Sequence, residues 1–310
     1  MKKLVCVGAC YLDTILDVPY YPGEDSKLRA TNLQVRRGGN CPNTLEVLQQ
    51  LVRQEDAPHD KVRPYLISCL PSADAPATAT ILDSFGPGSL VDFSRCIFRA
   101  DHRDPASSYI IRSEATGSRT LVNYNALPEM TIDEFIAVAN EVGDESWFHF
   151  ECIRYLRHSF PNARVSVEVE KPGRGGLEQL AAEADVVFYS RSWAESKGYQ
   201  SAEQCLRAQS GVAREAFLLL CTWGSDGASC LSLPSEQAVS CPATLAGQTI
   251  SVVDTVGAGD TFIAGILFAL LCHQEDWDTE RKVQFAVQLA TCKVQQDGFD
   301  GVGAEVLKRL

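Results

Sequence analysis

Between residues 131 and 223, short apolar runs alternate with amphipathic stretches, and this alternation limits the fold more than any other feature. Helical spacing over 131–142 gives way to 146-SWFHFE-151, a helix to about 157, and then 164-RVSVEVE-170. A helix over 177–183, the run 185-DVVFYS-190, a helix over 202–208 and 216-AFLLLCTW-223 follow. Strands separated by helices in this way pair in parallel and are covered on both faces. A return strand over 227–233 and helices over 261–272 and about 282–295 complete an α/β reading.

The first 130 residues have a different texture. A strand is expected over 3–9, and 12–39 breaks into short strands and turns around Pro22-Gly23. A helix begins after Gly38-Gly39-Asn40 and runs from Asn43 to Arg53, and 64–70 is a further strand. Residues 71–87 are rich in Ala, Ser, Pro and Asp. The runs 107–114 and 118–125 form a hairpin in which Gly117 supplies the turn. With no internal repeat and no long linker, residues 1–310 are expected to be a single domain. The β pieces within about 14–38 and 96–125 would be a small appended sheet.

A net charge of −12 argues against nucleic acid or an anionic membrane as the main partner. It leaves small anions open, because a local cluster of N–H groups outweighs distant charge. In MKKLVCVGACYLD a short apolar run is interrupted by Asp13, and no small-residue cleavage site follows, so this is read as a strand and not a signal peptide. The run 262–272 is too short to span a bilayer, which takes about 20 residues. Twelve cysteines without a CxxC pair suggest free thiols in a reducing cytoplasm, and the five dispersed histidines give zinc little support.

The chemistry concentrates in 252-VVDTVGAGDTF-262, an apolar, strand-like run followed by a glycine turn and a buried helix, with carboxylates at Asp254 and Asp260. N–H groups at a helix entry suit phosphate, and Gly257 and Gly259 let the backbone come close to it. Asp260 sits at or near the N-cap, so capping alone is an open alternative. The third glycine of GxGxxG is absent, and no GK[ST] of a Walker A loop occurs.

DTVGAGDTF together with 36-RRGGNCPNTLEVL-48 resembles the paired signatures of the ribokinase/pfkB family of sugar kinases. RGGNxxN, ATGSRTLVNY, VSVEVEKP and DGFDGV bring the chain nearest to the ketohexokinase subgroup, from the first strand to about residue 303 and most thinly over 54–95. The resemblance implies a ribokinase-like three-layer α/β/α sandwich with a small β-sheet lid. It implies an ATP-dependent kinase for a small sugar, a ketose such as D-fructose giving fructose 1-phosphate, and a homodimer joined through the lids.

Carried over residue by residue, Asp260 is the base, and Gly257, Ala258 and Gly259 form an anion hole. Asp254 helps to hold a monovalent cation, potassium. Asp13, Gly39, Asn40, Asn43 and Arg119 face the sugar, with Arg119 also reaching the phosphates. Arg191, Trp223, Gly224, Ser225, Gly227 and Cys292 lie on the nucleotide side. The family's NxxE motif is missing, since 190-SRSW-193 stands in its place, and Arg191 replaces a lysine of the subgroup. That leaves the magnesium ligands unassigned, with Glu168 and Glu170 as candidates, which strand alternation places on one face.

Overall fold

Strand periodicity divides the core of this protein into two halves. The structure is a computed structural model and describes residues 2–55, 62–149, 154–245 and 249–308. Eight strands form the main sheet in the order β14-β13-β12-β11-β10-β9-β1-β4. Six are mutually parallel: β1 (Lys2–Val7), β4 (Val62–Ile67), β9 (Ser146–His149), β10 (Arg164–Val169), β11 (Val186–Tyr189) and β12 (Leu218–Thr222). Antiparallel β13 (Ala228–Ser232) and β14 (Gln237–Cys241) finish one edge.

Leu4 and Cys6, Val186 and Phe188, and Leu218 and Leu220 point to one face. There they meet α1 (Asn40–Val52), α2 (Pro76–Asp83), α8 (Ala258–Cys272) and α9 (Thr279–Lys293). The intervening Val5, Val187, Tyr189, Leu219 and Cys221 point to the other. That face is covered by α3 (Ile132–Val142), α4 (Arg154–Ser159), α5 (Leu177–Glu183), α6 (Arg191–Ser196) and α7 (Ala202–Gln209). The result is the expected three-layer α/β/α arrangement. Helix α8 is apolar on all sides because α1, α9 and the sheet surround it. At Gly265 its backbone comes so close to α9 that a Cβ would lie 2.8 Å from Ala286 Cα.

A separate four-stranded sheet has the order β3-β2-β7-β8, from β2 (Tyr11–Val18), β3 (Asn32–Gly38), β7 (Ala106–Ser113) and β8 (Arg119–Tyr124). Gly117, at φ 69°, sits in the β7–β8 turn. The registers sort this sheet's side chains. Asp13, Arg36, Ser108 and Asn123 share one face, as do Arg112 and Arg119. The other face carries Leu33, Val35, Tyr109, Val122 and Tyr124, each more than half exposed.

Several expectations need correction. Of the 96–125 region, β6 (Ile97–Arg99) does not join the small sheet; it pairs with β5 (Cys69–Pro71), anchored by Ile97 N–H on Ser68 O at 2.9 Å. The apolar run before Asp254 is not a strand: Val252 and Val253 are exposed, and Val253 N–H is bound to Val294 O. Helix α6, β14 and α10 (Val302–Leu307) were not anticipated. The end of the 146–151 run falls partly outside the described residues. Among the described residues the cysteines are free thiols, and no helix is long and apolar enough to cross a membrane.

Candidate active site

Helix α8 begins on Gly257, whose φ of 77° is left-handed and whose missing side chain leaves room for the ring of Phe299. Asp260 is therefore the third residue of the helix and not its N-cap. Ala258 N–H turns back to Thr255 O at 3.3 Å, so one of the three expected anion-hole donors is engaged. The N–H groups of Gly257 and Gly259 have no intramolecular acceptor among the described residues. They stand at the positive end of a 15-residue helix, where an anion is favoured.

The Asp260 carboxylate is 8% exposed and accepts a hydrogen bond from Asn43 Nδ2 at 2.8 Å. Burial, and then the nearby Glu168 and Glu170, push its pKa well above the ordinary carboxylate value; Asn43 and Arg37 act in the opposite direction. This is a carboxyl group primed to take up a proton.

Asn40 and Asn43 project from the first turn of α1. That helix starts at Gly39, with φ 109° and no side-chain cap, because a Cβ there would overlap Ala9 O. Neither amide is left to open space. Asn40 Nδ2 donates to Glu168 Oε2 at 3.0 Å and to Glu170 Oε2 at 2.9 Å. Asn43 Oδ1 accepts from Arg37 Nη1 at 3.1 Å, so Asn43 joins the small sheet to Asp260. Glu168 and Glu170 do share a face, as alternation required.

Behind Glu168 lies His149, fully buried, with Nε2 3.0 Å from Glu168 Oε1 and Nδ1 3.0 Å from Ser166 Oγ. In the tautomer whose Nε2 donates to Glu168, the Ser166 hydroxyl can donate to Nδ1. Gly39, Asn40, Glu168 and Glu170 line a cleft of about 610 Å³, together with Lys171 and Arg174.

Asp13 enters from the small sheet. It is 7% exposed, and its Oδ1 is buried without a hydrogen-bond partner. Burial raises its pKa, opposed by Ser108, Arg36, Arg37 and Arg119. A side chain at Gly38 would overlap this carboxylate. Arg119 is exposed on β8, within electrostatic reach of Asp13. A buried acceptor with no donor is costly, so such an atom marks a place that a ligand hydroxyl can fill.

On the opposite flank, Arg191 lies over Trp223 at 5.6 Å from the ring centroid and pairs with Glu195. Gly224 and Ser225 form a single 3₁₀ turn after Trp223, and Gly227 packs against Cys241 O where no Cβ fits. Cys292 is buried in the core on α9, the helix that packs against β13 and β14. Asp254 is 4% exposed; its Oδ1 accepts Val256 N–H at 2.9 Å and its Oδ2 accepts Lys293 Nζ at 2.8 Å. Among the described residues no three His, Cys, Asp or Glu side chains converge into a metal cage.

His149, Arg37 and Lys293 escaped the sequence reading. The one available signal was a polar residue inside an apolar run, as His149 is in SWFHF.

The profile of the pfkB family carbohydrate kinases matches residues 1–302. Mouse ketohexokinase is 30% identical over an alignment covering 97% of this chain and 99% of that protein. Ribokinase from Giardia lamblia superposes with a TM-score of 0.81 over the whole of both chains, at 16% identity. Arabidopsis thaliana ribokinase, solved with ribose and ATP, gives 0.75 at 20% identity over 99% of this chain and 98% of its own. At those identities the two ribokinases establish similarity of fold alone.

Proposed function

Because the chain belongs to the pfkB family of carbohydrate kinases, we propose that it transfers the γ-phosphoryl group of ATP to a ketose hydroxyl, turning D-fructose into fructose 1-phosphate. The observation that carries the reading is the pairing of a buried, proton-seeking Asp260 with two unengaged N–H groups on the turn before it. The sugar oxygen forms a bond to the γ-phosphorus while the bond from that phosphorus to the β,γ-bridging oxygen breaks. The hydroxyl proton passes to Asp260, and ADP leaves. Gly257 and Gly259 N–H hold the charge on the transferred oxygens.

Asp13 binds sugar hydroxyls through its unpaired Oδ1, and Arg119 closes over the phosphates from the same sheet face. Gly39 contributes its backbone, and Asn40 and Asn43 offer amide groups to the sugar while orienting the carboxylates of Glu168, Glu170 and Asp260. Arg191, Trp223 and the 224–227 turn take the nucleotide end, with Cys292 supporting it from the core. Hard-oxygen donors at Glu168 and Glu170 fit magnesium, which would neutralise the phosphates and is usually held by one or two carboxylates, water and phosphate. The small sheet acts as a lid that keeps water from ATP. Its apolar outer face would be covered by the lid of a second copy.

The test is ATP turnover with fructose, tagatose, ribose, adenosine or no acceptor, and light scattering of the same preparation. Fructose-dependent turnover by a dimer is expected. Turnover with ribose or adenosine alone would move the substrate. Nucleotide binding without turnover would make this a silent binding protein.

Asn43→Ala is expected to move the acidic limb of the kcat/KM profile to higher pH and to lower kcat. The Asn43 amide favours the charged carboxylate, so losing it raises the Asp260 pKa further. An unmoved limb between pH 5 and 9 would separate Asn43 from the proton acceptor.

A further inference from the structure

We propose that Lys293 is a tethered cation for the phosphate-binding turn and takes the place that the resemblance gives to potassium, which makes the protein indifferent to monovalent ions. The inference rests on the kinase reading of that turn.

All three Asp254 oxygens already accept hydrogen bonds. Oδ1 accepts Val256 N–H at 2.9 Å. Oδ2 accepts Lys293 Nζ at 2.8 Å and Arg36 Nη1 at 3.4 Å. The Asp254 carbonyl accepts Lys293 Nζ at 3.0 Å. The ammonium thus bridges the carboxylate and the backbone of one residue, as a metal ion would. Its remaining side faces the ring of Phe299, 5.3 Å from the centroid. That same ring packs where a Gly257 side chain would be.

Lys293 has no solvent exposure, and Asp254 has almost none. A single buried negative charge therefore already faces one buried ammonium and one guanidinium. A potassium ion would have to displace Lys293 or share the Asp254 oxygens against its charge, and such a site is disfavoured.

The lysine is also well placed to stiffen the turn. It is the last residue of α9, and the next residue, Val294, accepts the N–H groups of Val253 and Asp254 at 2.7 and 3.2 Å. One helix end thus holds the approach to Gly257 through both backbone and side chain. A diffusible ion could supply the charge, but not the covalent link to α9.

The experiment compares KCl, NaCl and choline chloride at constant ionic strength, reading thermal unfolding and ADP affinity as well as turnover. For the wild type, all three readouts are expected to agree within about twofold. In Lys293→Met, ADP affinity and turnover are expected to fall by about tenfold to a hundredfold, with partial recovery in potassium and none in choline. Lys293→Arg should stay indifferent to the ion supplied.

A tenfold gain of wild-type ADP affinity in potassium over choline would overturn the proposal. So would a folded Lys293→Met protein that no cation rescues, since that would make the pair a structural contact only. Should Lys293→Met fail to fold, the wild-type series still decides. Should no sugar turn over, the kinase reading fails separately, because unfolding and ADP affinity are read without an acceptor.

Discussion

Asp260→Asn is expected to lower turnover by about 10²- to 10⁴-fold, the usual contribution of a positioned base, while the protein unfolds at an equal or higher temperature. The two effects share one cause. Asp260 is buried close to Glu168 and Glu170, which is why its pKa lies well above 3.8. A group whose folded pKa is raised stabilises the fold fully only below its unfolded pKa, and the stabilisation is lost as pH rises through the folded pKa. At pH above both values the native state carries the cost of a buried charge. Asparagine removes that charge and can still accept the hydrogen bond from Asn43 through its carbonyl. Stopped turnovers with fructose and calorimetry at neutral pH check both halves. Turnover within tenfold of the wild type would remove Asp260 from the chemistry, and a clearly lower unfolding temperature would contradict the account of its burial.

The glycine turn yields a pair of substitutions with opposite expected effects on stability. Gly257→Ala would place an L-residue at φ 77° and drive its Cβ into Phe299. Left-handed strain of about 1–2 kcal/mol and overpacking of about 1–3 kcal/mol together predict a loss of about 2–5 kcal/mol. Gly259 has no such constraint: it is helical, its φ is not left-handed, and a Cβ there meets nothing within 4 Å. Gly259→Ala should be neutral or stabilise by up to about 1 kcal/mol. Since the fold does not require this glycine, a requirement for it must come from a bound group. Nucleotide affinity and turnover are expected to fall in both variants, but for different reasons. Urea unfolding alongside ATP affinity separates them. A Gly259→Ala protein with wild-type turnover would show that no phosphate approaches this backbone.

The alternating body was legible because periodicity is a local property: runs such as DVVFYS contain the information that puts Val187 on one face and Phe188 on the other. The glycine turn and its carboxylates were legible because they are contiguous in sequence. What escaped was long-range. Nothing local to Lys293 announces that its ammonium will meet Asp254, 39 residues away, nor that Asn43 will reach across 217 residues to Asp260. Val252 and Val253 misled for a related reason. Their composition suits a strand, but they run along the end of α9 and find no sheet edge with which to pair. Nothing local in RRGG marks Arg37 either, yet it is buried over Phe85, paired with Glu46 and bonded to Ser84.

The placement of α1 bears on how the chain emerges from the ribosome. This helix is made within the first 52 residues, and its Leu45, Leu48, Leu51 and Val52 are completely buried in the finished protein. Their cover includes α8 and α10, which begin only at Ala258 and Val302. During synthesis β1 and β4 can pair early, and the later parallel strands can add outward from β1 one after another. Throughout that interval the apolar side of α1 lacks its partners, the condition in which a nascent chain is most open to aggregation and to capture by chaperones. Truncation before residue 258 would leave a sheet with half its cover missing, and without Asp260 or Lys293. The site is therefore completed only when synthesis is almost finished, so partial chains cannot consume ATP.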